Sequence, residues 1–339
     1  MVFPLHPHRA FIIAEAGVNH DGNTEQALAL IDAAAEAGAD AVKFQMFDAD
    51  ELVAAGAPLA AYQERSGEKN QRDMLERLAL PREEYRMLQT HAAQKKIAFI
   101  VTPFDADSAQ FLAGIGVEML KIGSGEITNL PFLRAVAALH IPTILSTGMS
   151  SMEEIAAAVE PFLQTKTPYA LLHCVSAYPA PVEQIHLRAM QSIRQQFSVP
   201  VGYSDHTLGT EVALAAVAHG AEILEKHLTL DATLPGPDHA ASLEPSAFAS
   251  MVRGIRMIEA AEGSTEKICQ PCEEPTRAVV RRSIVLAVDV SAGVKLTEDM
   301  LTLKRPGTGM APQMMSQIVG ARLVRPVSAG TLLTPDMLL

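Results

Sequence analysis

Between residues 11 and 263 one pattern returns eight times: a short apolar run, a polar cluster, then a stretch with helical period. The clearest copy is residues 201–229, VGYSDHTLGTEVALAAVAHGAEILEKHLT. Its apolar run ends in Ser204-Asp205-His206, and Val212, Leu214, Val217 and Ala218 follow at helical spacing. Gly220 stops the helix, as glycine does at a C′ position. Residues 222–228 supply the next strand, with His227 at its end. The other runs fall at 11–14, 41–44, 98–101, 119–122, 143–145 and 169–173. Eight strand–helix units in about 260 residues match the closure number and size of an α/β (β/α)8 TIM barrel. An open doubly wound sheet would carry a Gly-rich dinucleotide fingerprint after its first strand, and none is present.

In such a barrel the active site is built where the strands end. Glu15, Lys43, Gln45, Thr102, Lys121, Ser124, Glu126, Ser146, His206 and His227 all fall there. Polar residues that only steady a core would not favour one end so consistently, so the chain reads as an enzyme. His206 and His227 stand one strand–helix–strand unit apart, which brings two imidazoles to the same end of the sheet. A lone histidine there is more often an ordinary half-buried side chain. A matched pair points to a divalent metal with positions left open for substrate oxygens. Lys43 and Lys121, with Ser124 between two glycines and Ser146 before Thr147-Gly148, read as an anion site, because glycine lets backbone approach a phosphate closely. Either lysine is also open to a Schiff-base role or to a plain rim charge. Glu15 and Glu126 can carry protons or pair with a lysine. Asp238 sits in a rigid Pro-Gly-Pro-Asp-His turn, where it orients a polar substrate or caps the next segment. His20, in an Asn-His turn, is either a metal ligand or a structural side chain.

A net charge of −12 argues against nucleic-acid binding, which needs a basic face. No apolar run reaches the roughly 18 residues of a membrane span. The N-terminus MVFPLHPHRAF lacks the apolar core of a signal peptide. Cys174, Cys269 and Cys272 fit a reducing compartment, so a cytoplasmic location is expected. Cys269-Gln270-Pro271-Cys272 has no second pair and no nearby histidine, and reads as incidental. Beyond the barrel at 1–263, residues 264–280 read as a linker and 281–339 as a small domain. That domain shows strand-like runs at 283–287 and 322–324. It also shows a weak internal repeat, in which Ala292-Gly293 and Asp299-Met300-Leu301 return as Ala329-Gly330 and Asp336-Met337-Leu338. About 60 residues make a marginal core, so the tail is expected to pack on a barrel.

Taken together, these residues carry a resemblance. FIIAEAGVNHDG (11–22), Lys43-Phe44-Gln45, Thr102-Pro103-Phe104, KIGSGE (121–126), LSTGM (145–149), GYSDHTL (202–208), Glu225-Lys226-His227 and PGPDH (235–239) resemble the ordered motifs of the nonulosonate, or sialic acid, synthases. Lys304-Arg305-Pro306-Gly307 and the region of Gly320 are similar to the antifreeze-like (SAF, β-clip) domain that ends those enzymes. The resemblance implies condensation of phosphoenolpyruvate with N-acetylmannosamine, releasing phosphate and forming N-acetylneuraminate. The alternative it leaves is the legionaminate branch, with a 2,4-diacetamido-6-deoxy-mannose as acceptor. A Schiff-base pyruvate aldolase ranks behind both, and a non-catalytic ice- or sugar-binding protein last.

The resemblance further implies Mn²⁺, with Mg²⁺ or Co²⁺ possible, and a domain-swapped homodimer whose tail covers the partner's site. By motif, His206 and His227 resemble the metal ligands. Lys43, Lys121, Ser124 and Ser146, with Thr102, resemble the phosphoenolpyruvate site, and Phe104 a substrate-binding residue. Glu15, Gln45, Glu126, Tyr178 and Asp238 resemble residues around the sugar, Glu15, Glu126 and Lys121 being the catalytic candidates. Arg305 resembles the tail arginine that reaches the N-acyl group in the other subunit. Two departures separate the branches. Ser176-Ala177-Tyr178 stands where some neuraminate synthases have Asn-x-Tyr, and Gly67-Glu68-Lys69-Asn70 where they have Gly-Asn-Ala. Ala57-Pro58 and Ala61-Tyr62-Gln63 look closer to the branch that holds both other bacterial neuraminate synthases and the legionaminate synthases.

Overall fold

The computed structural model describes residues 3–54, 56–60 and 63–339, without the side chains of Arg65 and Ser66. Ala61 and Tyr62 of the branch-marking segment lie outside the described residues. The chain forms two compact units, Met1–Gly263 and Ser264–Leu339.

In the first unit the eight apolar runs become β1 Phe11–Gly17, β2 Ala41–Met46, β3 Ala98–Pro103, β4 Met119–Ile122, β5 Thr143–Ser146, β6 Tyr169–Cys174, β7 Val201–Asp205 and β8 Ile223–His227. They pair in parallel, in chain order, and close into a barrel. Side chains alternate across a strand, and the two faces are easily told apart. Phe11, Ile13, Ala41, Ile100, Met119, Ile144, Ala170, Leu172 and Ile223 form one apolar cluster, the filling of the barrel. Ile12, Ala14, Val42, Phe44, Val101 and Leu224 point the other way and join the larger core beneath the helices. Two residues on from the inner apolar row, the same face carries Glu15, Lys43, Thr102, Lys121, Ser146 and Glu225. The register places Glu15 beside Lys43 on one flank and His227 on the other.

The connecting helices begin where side-chain caps occur. Asn23 accepts from Gln26 N–H, and Ser151 and Glu154 form a reciprocal capping box at the start of Met152–Thr165. Gly202 has no room for a side chain, since a Cβ there would stand 2.1 Å from the Ile223 carbonyl oxygen. Its absence lets β7 lie close against β8.

In the second unit β9 Ser283–Leu286 pairs antiparallel with β10 Leu301–Lys304. Ile284, Leu286, Leu296, Ile318, Leu323 and Leu333 are fully or almost fully buried in its core. The expected strand at 322–324 is not continuous, because Arg322 and Leu323 make only isolated bridges, to Lys295 and Leu338. The pairing edge goes instead to β10, launched by the 3₁₀ turn Glu298–Met300. The weak repeat has a structural counterpart: that turn and Pro335–Met337 are equivalent, and each follows a positive-φ glycine, Gly293 or Gly330. Within the expected linker, Glu274–Val280 forms a helix. Among the described residues no helix is long and apolar enough to cross a membrane.

Candidate active site

The carboxyl ends of the strands open on a cavity of about 430 Å³. Glu15, Lys43, Gln45, Thr102, Phe104, Lys121, Ser124, Ser146, Tyr178, His206, His227 and Asp238 all line it. A larger pocket, about 880 Å³, lies at the strands' starting ends and holds none of them. The chemistry is therefore at the smaller one.

At its base two lysines meet two carboxylates, all four at most 4% exposed. Lys43 Nζ lies 2.7 Å from Glu15 Oε2 and 3.9 Å from Glu225 Oε2. It also donates to Thr102 Oγ1 at 3.1 Å. Lys121 Nζ donates to Ser146 Oγ at 2.7 Å and stands 3.7 Å from Glu225 Oε1. Ser204 Oγ donates to Glu225 at 2.8 Å. Burial penalises every charge here, so the neighbours decide which survive. Burial works to raise the Glu225 carboxyl, but Lys121 and Lys43 together hold it below the usual range. For Glu15, burial outweighs Lys43 and Glu225 adds to it, so its carboxyl is pushed up. Burial drives the Lys121 amine down against the pull of Glu225. Lys43 keeps its charge, since Glu15 and Glu225 overcome its burial. Two carboxyls whose environments separate them in this way suit different roles.

Beside Lys121, Gly148 N–H donates to Ser124 Oγ at 3.0 Å, and the Cys174 sulfur lies 3.1 Å from the same oxygen. A Cβ on Gly148 would come within 2.2 Å of Ser176 Oγ and 2.9 Å of Ser124 Oγ. Glycine is what lets the two loops meet. Lys121, Ser124 and Ser146 thus form a cationic, hydroxyl-bearing arc over β4 and β5.

The two imidazoles stand on the other side, with ring centroids 5.5 Å apart, and Tyr178 stacks 4.2 Å from His206. His206 Nδ1–H donates to the Val175 carbonyl at 2.8 Å, which leaves Nε2 as a free lone pair. His227 Nδ1 is buried without a hydrogen-bond partner, 3.7 Å from Asp238 Oδ2. Burial lowers both imidazoles and keeps them neutral, the form that ligates a metal. Burial, then Glu15, raises the Asp238 carboxyl to about 7. Among the described residues no three His, Cys, Asp or Glu side chains converge as a closed metal site. Two neutral imidazoles fit an open, exchangeable one.

Three other residues singled out in the sequence have the following surroundings. Glu126 does not line the cavity among its described residues, because its carboxylate accepts from Asn129 Nδ2 at 2.7 Å in a local turn. Arg305 follows β10 in the second unit. His20 has a structural part: Nδ1 accepts from Gly22 N–H at 3.1 Å, and the ring packs on Phe44. Burial lowers it to about 4. Conversely, Glu225, Ser204 and Cys174 line the cavity without having been named as site residues. The missing signal was alternation, since a strand that turns His227 inward must turn Glu225 inward too.

The model of the NeuB family matches residues 30–267, and that of the SAF domain residues 281–339. The N,N'-diacetyllegionaminic acid synthase of Legionella pneumophila is 46% identical over 95% of this chain and 93% of its own length. The enzyme of the same name from Campylobacter jejuni is 42% identical over 92% of this chain and 95% of its own. The crystal structure of N-acetylneuraminic acid synthetase from Leptospira borgpetersenii, in complex with citrate, superposes with a TM-score of 0.73 at 38% identity, covering 80% of this chain and 92% of that one. A closed eight-stranded barrel, a lysine- and carboxylate-lined mouth and these relatives lead to one conclusion: the chain is an enzyme of the NeuB, or sialic acid synthase, family, with a SAF domain at its end.

Proposed function

We propose that this enzyme joins phosphoenolpyruvate to the open-chain form of an N-acyl hexosamine, giving a nonulosonic acid and inorganic phosphate. The observation that carries the reading is the division of one mouth into an anion-binding arc, Lys121, Ser124 and Ser146, and an imidazole pair, His206 and His227. The arc holds the phosphate and neutralises its charge. The new bond runs from the methylene carbon of phosphoenolpyruvate to the aldehyde carbon of the sugar, whose oxygen takes a proton. The enol carbon is left cationic and takes up water, which loses a proton. The carbon–oxygen bond to phosphate then breaks, phosphate leaves with the electron pair, and the new hydroxyl gives up its proton to become the ketone. Glu15, with its raised carboxyl, is the group suited to give and take those protons, while Glu225 stays ionised between the lysines. Holding both reactants in one small mouth contributes several kcal/mol, about 7 at best for a well-oriented pair. A divalent cation on His206 and His227, Mn²⁺ by preference, would supply Lewis acidity at the aldehyde oxygen.

For the acceptor, the names of the relatives at 46% and 42% identity favour a 2,4-diacetamido-6-deoxy-mannose. N-acetylmannosamine is the second reading, on the Leptospira structure at 38%. The working unit in this proposal is a homodimer, with Arg305 of one chain serving the partner's site.

The test is phosphate release from phosphoenolpyruvate with each acceptor, after chelation and again after Mn²⁺ is restored. Phosphate should appear only with an N-acyl hexosamine and only with metal, and no release with any of them sinks the reading. One observation favours a rival. An amine lowered by burial, as Lys121 is, also suits Schiff-base chemistry. Borohydride trapping with pyruvate decides, since a covalent adduct on Lys121 would establish a lyase.

A further inference from the structure

The cavity has one wall that neither the anion arc nor the imidazoles explain. Val18, just past β1, and Met74, Leu75 and Leu78, on the helix Gln71–Leu78, all face it. Positions 74, 75 and 78 share one face of a helix. Val18, Met74 and Leu78 form an apolar cluster of their own, distinct from both barrel cores, and Leu75 packs against it half-buried.

The wall is fixed in place. Asn70 caps the helix, and at its other end Gly22 comes so close to the Arg77 carbonyl that a Cβ would stand 2.3 Å away. Arg77 also faces Asp21 at 3.7 Å, and Asp21 accepts from His239 Nε2 at 3.1 Å, in the same turn as Asp238. The helix is thereby tied to the loops after β1 and β8. Its position around the mouth follows from the strand order. The wall belongs to the connections after β1 and β2, whereas the arc belongs to β4 and β5. In a closed ring of eight strands β1 and β5 lie opposite each other, so the wall stands across the mouth from the phosphate.

We infer that this wall determines acceptor specificity by receiving an apolar substituent on the sugar end remote from the aldehyde: a deoxy methyl or the methyl of an N-acyl group. The inference rests on the synthase reading above. A hydroxyl or phosphate placed against Val18 and Leu75 would shed its water against side chains that offer no donor or acceptor in return. A methyl group loses nothing there and covers Leu75, which is only half-buried against Val18, Met74 and Leu78. Discrimination of about ten- to two-hundredfold is what one such group delivers in an apolar pocket.

The experiment uses the full chain with Mn²⁺ and measures kcat/KM for three acceptors: 2,4-diacetamido-6-deoxy-mannose, N-acetylmannosamine and N-acetylmannosamine 6-phosphate. The deoxy sugar should lead by at least about tenfold. Leu75→Gln and, separately, the near-isosteric Val18→Thr should each shrink that lead severalfold, while Leu75→Met should keep it. Two variants guard against a folding failure in one. A native enzyme that prefers either hydroxylated sugar overturns the inference, and so does an unchanged preference ratio in a folded variant. A chain that turns over no acceptor fells the synthase reading itself, and this inference with it.

Discussion

Lys121 holds Ser146 and faces Glu225 with a single amine. On the proposed reading, replacing it by alanine removes one charge-assisted contact to the substrate phosphate, which is worth about 1.5–3 kcal/mol. Lys121→Ala should therefore raise KM for phosphoenolpyruvate by roughly ten- to a hundredfold, with a far smaller change for the sugar, as steady-state kinetics will read. His20 gives a prediction of another kind. Its folded pKa of about 4 lies below the ordinary 6.5. The folded state thus disfavours the proton, and the contribution is complete above pH 6.5. It is lost as pH falls toward 4, by up to about 3 kcal/mol. Urea unfolding across that window should show the decline, and His20→Asn should flatten it. The same two kinds of residue mark what could be read in advance. His206 and His227 were legible because each closes an apolar run, and Lys43 and Lys121 because each is the one charge within its run. Glu225 was not, since it shares its run with Glu222 and Lys226 and shows itself only through alternation. Glu126 resembles a site residue by its motif, and what the motif does not show is the hydrogen bond its carboxylate accepts from Asn129.

At the scale of elements the barrel was plain because each strand is short, apolar and ended by polar residues, a signal repeated often enough to correct any single error. The second unit offered no such redundancy. Its core holds residues from turns as much as from strands, so the short run at 322–324 and the true strand β10 looked alike. Close packing of elements is equally silent in sequence. Nothing near Gly202 announces that β7 must lie against the Ile223 carbonyl. Gly202→Ala places a methyl group against backbone that cannot swing aside, so it should cost the barrel about 2–4 kcal/mol. Denaturation followed by tyrosine fluorescence will measure the shift. A midpoint within error of the native one would mean that β7 and β8 part more easily than their register suggests.

For the molecule as a whole, the prediction concerns complementation between chains. In the dimeric reading a His227→Ala chain keeps a sound tail, and an Arg305→Ala chain keeps a sound barrel. Co-expressed heterodimers should recover activity well above either parent, and purified heterodimers without recovery would confine Arg305 to its own chain or to no site at all. The cluster at the base of the mouth adds a consequence for the whole binding equilibrium. Two buried lysine amines face two buried carboxyls, so the mouth carries its own counterions. On the proposed reading an incoming phosphoester does not fall into a positive hole; it exchanges with a resident anion. The carboxyl already pushed upward, Glu15, is the one that yields its charge. Phosphoenolpyruvate should therefore draw a proton from solvent as it binds. Titration calorimetry in buffers of different ionisation enthalpy would show that uptake as a slope, and Glu15→Gln would abolish it.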